Sequence, residues 1–153
     1  MIQLALFEPE IPQNVGTILR LASCWDIKVH IIEPCGFPWN SKHLKRAGMD
    51  YLAKVSTLHH DNWEAFYERT KKESKRLVFL DVNGNNTHID FSFDPQDILI
   101  AGREGDGFSG LTYPILKNSV RIPITSHCRS LNVAIATSIV SSEALRQTQK
   151  FPK

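Results

Sequence analysis

At 153 residues, with 42% hydrophobic and 22% charged residues, the chain has the balance of a globular protein and enough length to bury a sizeable core. A formal net charge of +2 and a pI near 8.5 exclude a uniformly basic surface, so any nucleic-acid affinity must come from local clusters. No apolar run approaches the roughly 20 residues that span a bilayer, and the first strand begins almost at Met1, so neither a membrane span nor a signal peptide is expected.

Ile2-Gln-Leu-Ala-Leu-Phe7 reads as a short buried strand. Asn14 to Trp25 follows as a helix, because Ile18, Leu19, Leu21, Ala22 and Trp25 recur at helical spacing. Ile27–Ile32 is a second strand, and Ser41 caps a short helix carrying His43, Lys45 and Arg46. Asp61, with Glu64 three residues on, has the pattern of a capping box opening a helix over Asn62–Glu73. Strands are predicted at 77–80, 97–101 and 119–123, a turn at Asn83–Asn86, and a weak helix after Gly110. A last helix starts at Ser130 or Asn132 and runs to about Gln147, with Val133, Ala136, Ile139, Val140 and Ala144 along one side. This alternation predicts the α/β class, with a mostly parallel sheet covered by helices on both faces. Residues 1–150 read as one domain and 151–153 as a tail.

Three stretches carry candidate chemistry, each with a plainer reading beside it. In Phe7–Arg20, Asn14 and Gly16 read equally as the start of a helix. Arg20 stands apart, because an arginine at the edge of an apolar helix face suits bidentate phosphate binding. Gly102–Gly110 follows an apolar strand, where a Cβ-free loop lets main-chain groups approach a ligand. It also reads as a surface turn, having neither Gly-x-Gly-x-x-Gly nor P-loop spacing. Arg129-Ser130-Leu131-Asn132 is either a plain N-cap or a helix start open to a polar ligand.

Two basic clusters, Lys42–Arg46 and Lys71–Arg76, read as solvated faces or as RNA contacts. The first is the better RNA candidate, since Trp39 and Tyr51 flank it and offer stacking rings. His59-His60 is expected to lack a carboxylate or cysteine partner and reads as a loop pair, so no metal site is expected. Cys24, Cys35 and Cys128 have no metal-ligand spacing and read as reduced structural thiols of a cytoplasmic protein.

In order, Phe7–Arg20, Ala101–Phe108 and Arg121–Asn132 resemble the three signature motifs of the SPOUT RNA methyltransferases. The likeness extends to Leu6–Pro12, His30–Phe37, Leu44–Gly48 and Glu143–Gln147, and is similar to the TrmL (YibK-type) tRNA wobble-position 2′-O-methyltransferases. The resemblance implies a C-terminal trefoil knot, a homodimer with an active site shared between subunits, and S-adenosylmethionine as cofactor. It implies methylation of the ribose 2′-hydroxyl of nucleotide 34, cytidine or modified uridine, in the anticodon stem-loop of tRNA, with leucine isoacceptors as expected substrates.

By the same resemblance Leu80, Gly102, Ile122, Ser130 and Leu131 line the cofactor pocket. Asn14, Arg20, Glu104 and Asn132 are the candidate catalytic residues, with Ser130 also at a functional polar position. Arg20, Lys42, Lys45, Arg46 and Arg129 are the candidate RNA contacts. Two positions depart from the family pattern: Arg103 stands where many relatives have proline, and Ser142 where many have an aromatic residue. Methylation of another tRNA or rRNA ribose is the nearest alternative. A non-catalytic RNA-binding protein is a second, and a nicotinamide-dependent dehydrogenase a distant third.

Overall fold

The computed structural model describes residues 1–111 and 115–153. Seven strands form one sheet: β1 (Gln3–Phe7), β2 (Val29–Ile32), β3 (Thr57–His60), β4 (Arg76–Leu80), β5 (Asn86–Thr87), β6 (Asp97–Ala101) and β7 (Ser119–Arg121). Their order is β3-β2-β1-β6-β4-β7-β5, and every neighbouring pair is parallel. β1, β2 and β6 are apolar almost throughout because both of their faces are covered.

Alternate residues divide the core. Leu4 and Leu6 face α1 (Pro12–Cys24), α2 (Lys42–Gly48) and α4 (Val133–Thr148), where Ile18, Leu19, Leu44, Ala144 and Leu145 close one cluster. Ala5 and Phe7 face the other way, against Trp63 and Phe66 of α3 (Trp63–Lys72). The predicted class and the two-sided cover are therefore observed.

Several local expectations are corrected. α1 begins at Pro12, not Asn14, with no side-chain cap on Ile11. Proline fits this first turn because it has no N–H to leave unpaired. α3 is capped by Asn62, whose Oδ1 accepts from Ala65 N at 2.9 Å, and not by Asp61. The strand predicted over 119–123 ends at Arg121, and β3 and β5 were not foreseen. The weak helix expected after Gly110 falls partly on 112–114, outside the described residues; a 3-10 turn follows at Ile115–Lys117.

α4 starts at Val133 with Asn132 as its cap. Its core-facing residues are Ala134, Thr137, Ser141, Ala144 and Leu145, together with Val140. The expected stripe through Val133, Ala136 and Ile139 is only half-buried, because α4 carries apolar residues on two sides.

The chain leaving β4 passes tightly over β7. A Cβ on Gly84 would lie 2.5 Å from the Val120 carbonyl carbon, so only glycine fits the crossing. Asp81 N–H donates to Val120 O at 3.0 Å, His88 N–H to Arg121 O at 2.9 Å, and Arg121 Nη1 to Gly84 O at 2.7 Å. Further along, Gln147 on α4 accepts from Phe93 N–H and donates to Phe91 O, both at 3.0 Å.

Candidate active site

A cavity of about 570 Å³ opens beyond the C-terminal ends of β4, β6 and β7, where parallel sheets place ligand sites. Leu80, Ala101, Val120 and Ile122 from the strand ends form its apolar floor, and Val133, Ala136 and Val140 of α4 one wall. The opposite wall is the turn Gly102–Phe108. That turn closes on itself through Arg103 N–H to Gly107 O at 2.9 Å and Gly107 N–H to Arg103 O at 3.1 Å. A Cβ on Gly102 would come within 2.9 Å of the Gly107 backbone, and Gly107 itself has φ of +62°. Both glycines are thus required by the turn, whatever binds beside it.

Of the residues singled out by sequence, Leu80, Gly102, Ile122, Ser130, Leu131, Asn14, Glu104, Asn132 and Arg129 all line this cavity. Three form a continuous polar chain at its edge. The Glu104 carboxylate accepts from Glu10 N–H at 2.9 Å, Ile11 N–H at 3.2 Å and Asn14 Nδ2 at 3.2 Å. Asn132 Nδ2 donates to Asn14 Oδ1 at 2.9 Å, while Asn132 Oδ1 accepts from Ala134 N at 2.8 Å and Ile135 N at 3.3 Å. A carboxylate at the start of α1 also suits the positive end of that helix.

With three donors on it, Glu104 organises the site. Glu10 returns the clasp, its Oε2 accepting from Gly105 N–H at 2.7 Å. Sequence reading missed this partner; the only signal was its place between Pro9 and Pro12 in the first motif.

Arg103 binds Glu8 and Asp106 at 2.7 Å each and stacks on Phe7, with Cζ 5.2 Å from the ring centroid. It thereby ties the glycine turn to the end of β1.

Arg20 is not brought to the cavity. It lies six residues beyond Asn14, roughly 9 Å along α1 and about 240° around it, exposed beside Met49 and Tyr51. Gly16, between the two, serves packing: a Cβ there would lie 2.5 Å from Ala47 Cβ, so glycine lets α1 and α2 touch. Lys42, Lys45 and Arg46 are exposed on α2, away from the cavity. Trp39 is packed against Phe37 and His59.

His59 and His60 are not a loop pair but lie on β3, and His59 has a carboxylate partner, Glu33 Oε1 at 3.2 Å. His60 is buried against His30 (Nε2 to Nδ1, 2.8 Å), and His30 Nε2 meets Gln3 Oε1 at 2.7 Å. The Gln3 oxygen fixes the tautomers: His30 Nε2–H donates to it, and His30 Nδ1 accepts from His60 Nε2–H. Burial, helped by the His60 charge, pushes the His30 pKa down to about 3. Burial also lowers that of His60.

Of the cysteines, Cys24 and Cys128 are exposed and only Cys35 is half-buried, so two of the three are not core thiols. Among the described residues, no group of three or more His, Cys, Asp or Glu could hold a metal ion, and no helix is long and apolar enough to cross a membrane.

Residues 1–142 match the model of the SpoU rRNA methylase family. The chain belongs to this family.

Among SpoU relatives, the tRNA (cytidine(34)-2′-O)-methyltransferase of Beijerinckia indica is 43% identical over 150 residues, covering 98% of this chain and 94% of that one. The protein of the same name from Escherichia coli K12 is 38% identical, covering 96% and 94%. A solved structure that concerns 2-OH methylation of C/U34 on tRNA superposes with a TM-score of 0.88, at 36% identity and 96% and 95% coverage. The SpoU sheet and its helices are thus matched over nearly the full length of both chains.

Proposed function

We propose that this protein transfers the methyl group of S-adenosylmethionine to the ribose 2′-hydroxyl of the wobble nucleotide, position 34, of tRNA. The observation that carries the reading is the near-full-length likeness to relatives named for cytidine 34. The cavity supplies a site of suitable size, within the roughly 300–1,000 Å³ usual for small-ligand pockets.

The lining also suits this cofactor. With Arg103 and Asp106 paired to one another, two carboxylates, Asp81 and Glu104, stand against one guanidinium, Arg129. Such a wall favours a sulfonium cation over the phosphates of a dinucleotide. Leu80, Ile122 and Leu131 offer an apolar slot for a base, and the main chain of the glycine turn offers close hydrogen-bond partners. When bound, S-adenosylmethionine supplies an electrophilic methyl group for in-line displacement.

The protein's own task is to align the ribose oxygen with that methyl and to ease loss of its proton. Glu104, Asn14 and Asn132 fix the two motif loops on either side of the pocket mouth. Arg20 binds the RNA phosphate beside the target ribose and orients the 2′-hydroxyl; a guanidinium keeps its proton and is a poor base. Since Arg20 lies off the cavity of its own chain, it serves the pocket of a second copy in a homodimer. The exposed apolar residues Ile11, Ile124, Leu131 and Ile135 around the pocket mouth and the start of α4 suit that contact. Lys42, Lys45, Arg46 and Arg129 add cations for the anticodon stem-loop. We further read the crossing of 81–96 over β7, clasped by Gln147, as the trefoil knot of a single cytoplasmic domain.

Calorimetry with S-adenosylmethionine and single-turnover transfer to tRNA test the division of labour. Arg20→Ala is expected to bind cofactor normally and to lose at least a hundredfold in transfer, the range of one positioned catalytic group. Near-normal turnover by this variant would remove Arg20 from the mechanism.

A further inference from the structure

Arg20 is held in an unusual way for an exposed arginine. Among the described residues it has no carboxylate or carbonyl partner; Nη1 meets Met49 Sδ at 3.7 Å, and Cζ lies 5.2 Å from the Tyr51 ring centroid. Lys54 Nζ lies 5.5 Å from the same centroid and pairs with Asp50 at 3.1 Å. Two cations thus share one ring with a single carboxylate between them.

Tyr51 belongs to the 3-10 turn Met49–Ala53, which is fastened beneath α1. Leu52 packs directly on Gly48, and Gly48 and Ala47 meet Gly16. The ring is therefore set on a tight junction of α1, α2 and the turn, not on a loose loop.

The choice of an aromatic holder matters chemically. A carboxylate would fix the guanidinium equally well but would neutralise it and occupy its N–H fork. An aromatic face restrains the cation through its quadrupole and leaves both charge and donors available to a phosphate. We infer that Tyr51 is a positioning residue for Arg20, presenting its open N–H fork to an RNA phosphate, with Lys54 on the same ring reinforcing the anion site. This rests on the proposed reaction, in which Arg20 addresses the RNA backbone.

The test combines single-turnover transfer with a mutant cycle in tRNA affinity, using Tyr51→Leu, Tyr51→Phe, Arg20→Ala and the Tyr51→Leu/Arg20→Ala pair. Tyr51→Leu is expected to slow transfer roughly tenfold, the size of one partly desolvated cation–π contact, with cofactor affinity unchanged. Tyr51→Phe, which keeps the aromatic face, restores the rate. The tRNA affinity lost in Tyr51→Leu disappears as a separate effect once Arg20 is already Ala.

A wild-type rate for Tyr51→Leu overturns the inference. So does an equal loss of affinity in the presence and absence of Arg20, which is also what a folding defect or a direct ring–base contact would give. Wild-type protein that transfers no methyl to tRNA refutes the reaction instead, and leaves the affinity cycle readable.

Discussion

Asn132 does two jobs with one amide. Its oxygen caps α4 and its nitrogen reaches Asn14 across the pocket mouth. The two functions separate by substitution. Asn132→Ala loses the cap, at a cost of about 1 kcal/mol, and is expected to melt about 3 °C lower as well as losing transfer. Asn132→Asp keeps the cap acceptor but turns a carboxylate towards Asn14 Oδ1, so it should keep the melting temperature and still lose transfer. A fully active Asp variant would show that the Asn14 link is dispensable.

At this scale much was legible in the sequence: Asn14, Glu104 and Asn132 stand out in their motifs, and the structure brings them into contact. Glu10 was not legible, because its partner lies 95 residues away and only the folded sheet aligns the two loops. Arg20 was legible as a residue and not as a location, since helical spacing does not say whether the side chain reaches the cavity of its own chain.

Among the elements, β2 and β3 are joined through the buried His30–His60 pair beneath Phe66 of α3. The folded-state pKa of His30 is lowered to about 3 from 6.5, so the unfolded chain takes up the proton first as pH falls. The pair's contribution is intact above pH 6.5 and is lost progressively down to about pH 3. For His30 alone the loss is roughly 2 kcal/mol between pH 7 and pH 5. Denaturant midpoints over that range should fall accordingly, and the His30 ring should stay neutral by NMR at pH 5. A flat stability profile with a protonated His30 would contradict this.

β3 escaped sequence reading because Thr-Leu-His-His is polar and short, with two histidines that look solvated until paired. The core strands β1, β2, β4 and β6 were found because continuous apolar runs leave few alternatives. α4 was found as a helix but turned about its axis, since a helix apolar on two sides gives no single stripe to read.

Over the whole molecule, the sheet class follows from alternation, whereas the course of the chain does not. Gly84 against Val120 and Gln147 against Phe91 and Phe93 are contacts between segments 35 or more residues apart, and no local pattern encodes which passes over which. The same holds for the proposed dimer, whose exposed apolar residues look in sequence like ordinary core positions. Resemblance carried those expectations, and the resemblance is specific because its motifs occur in order along nearly the whole chain.

The family's description names rRNA while the near-full-length relatives are named for tRNA position 34, so the modified nucleotide decides between them. The most direct measurement is to incubate purified protein with radiolabelled S-adenosylmethionine and separate samples of leucine tRNA and rRNA lacking 2′-O-methylation, then map the labelled ribose. Label at nucleotide 34 of tRNA, absent with Arg20→Ala, is the expected result. Label on rRNA, or at another tRNA position, would contradict the wobble assignment.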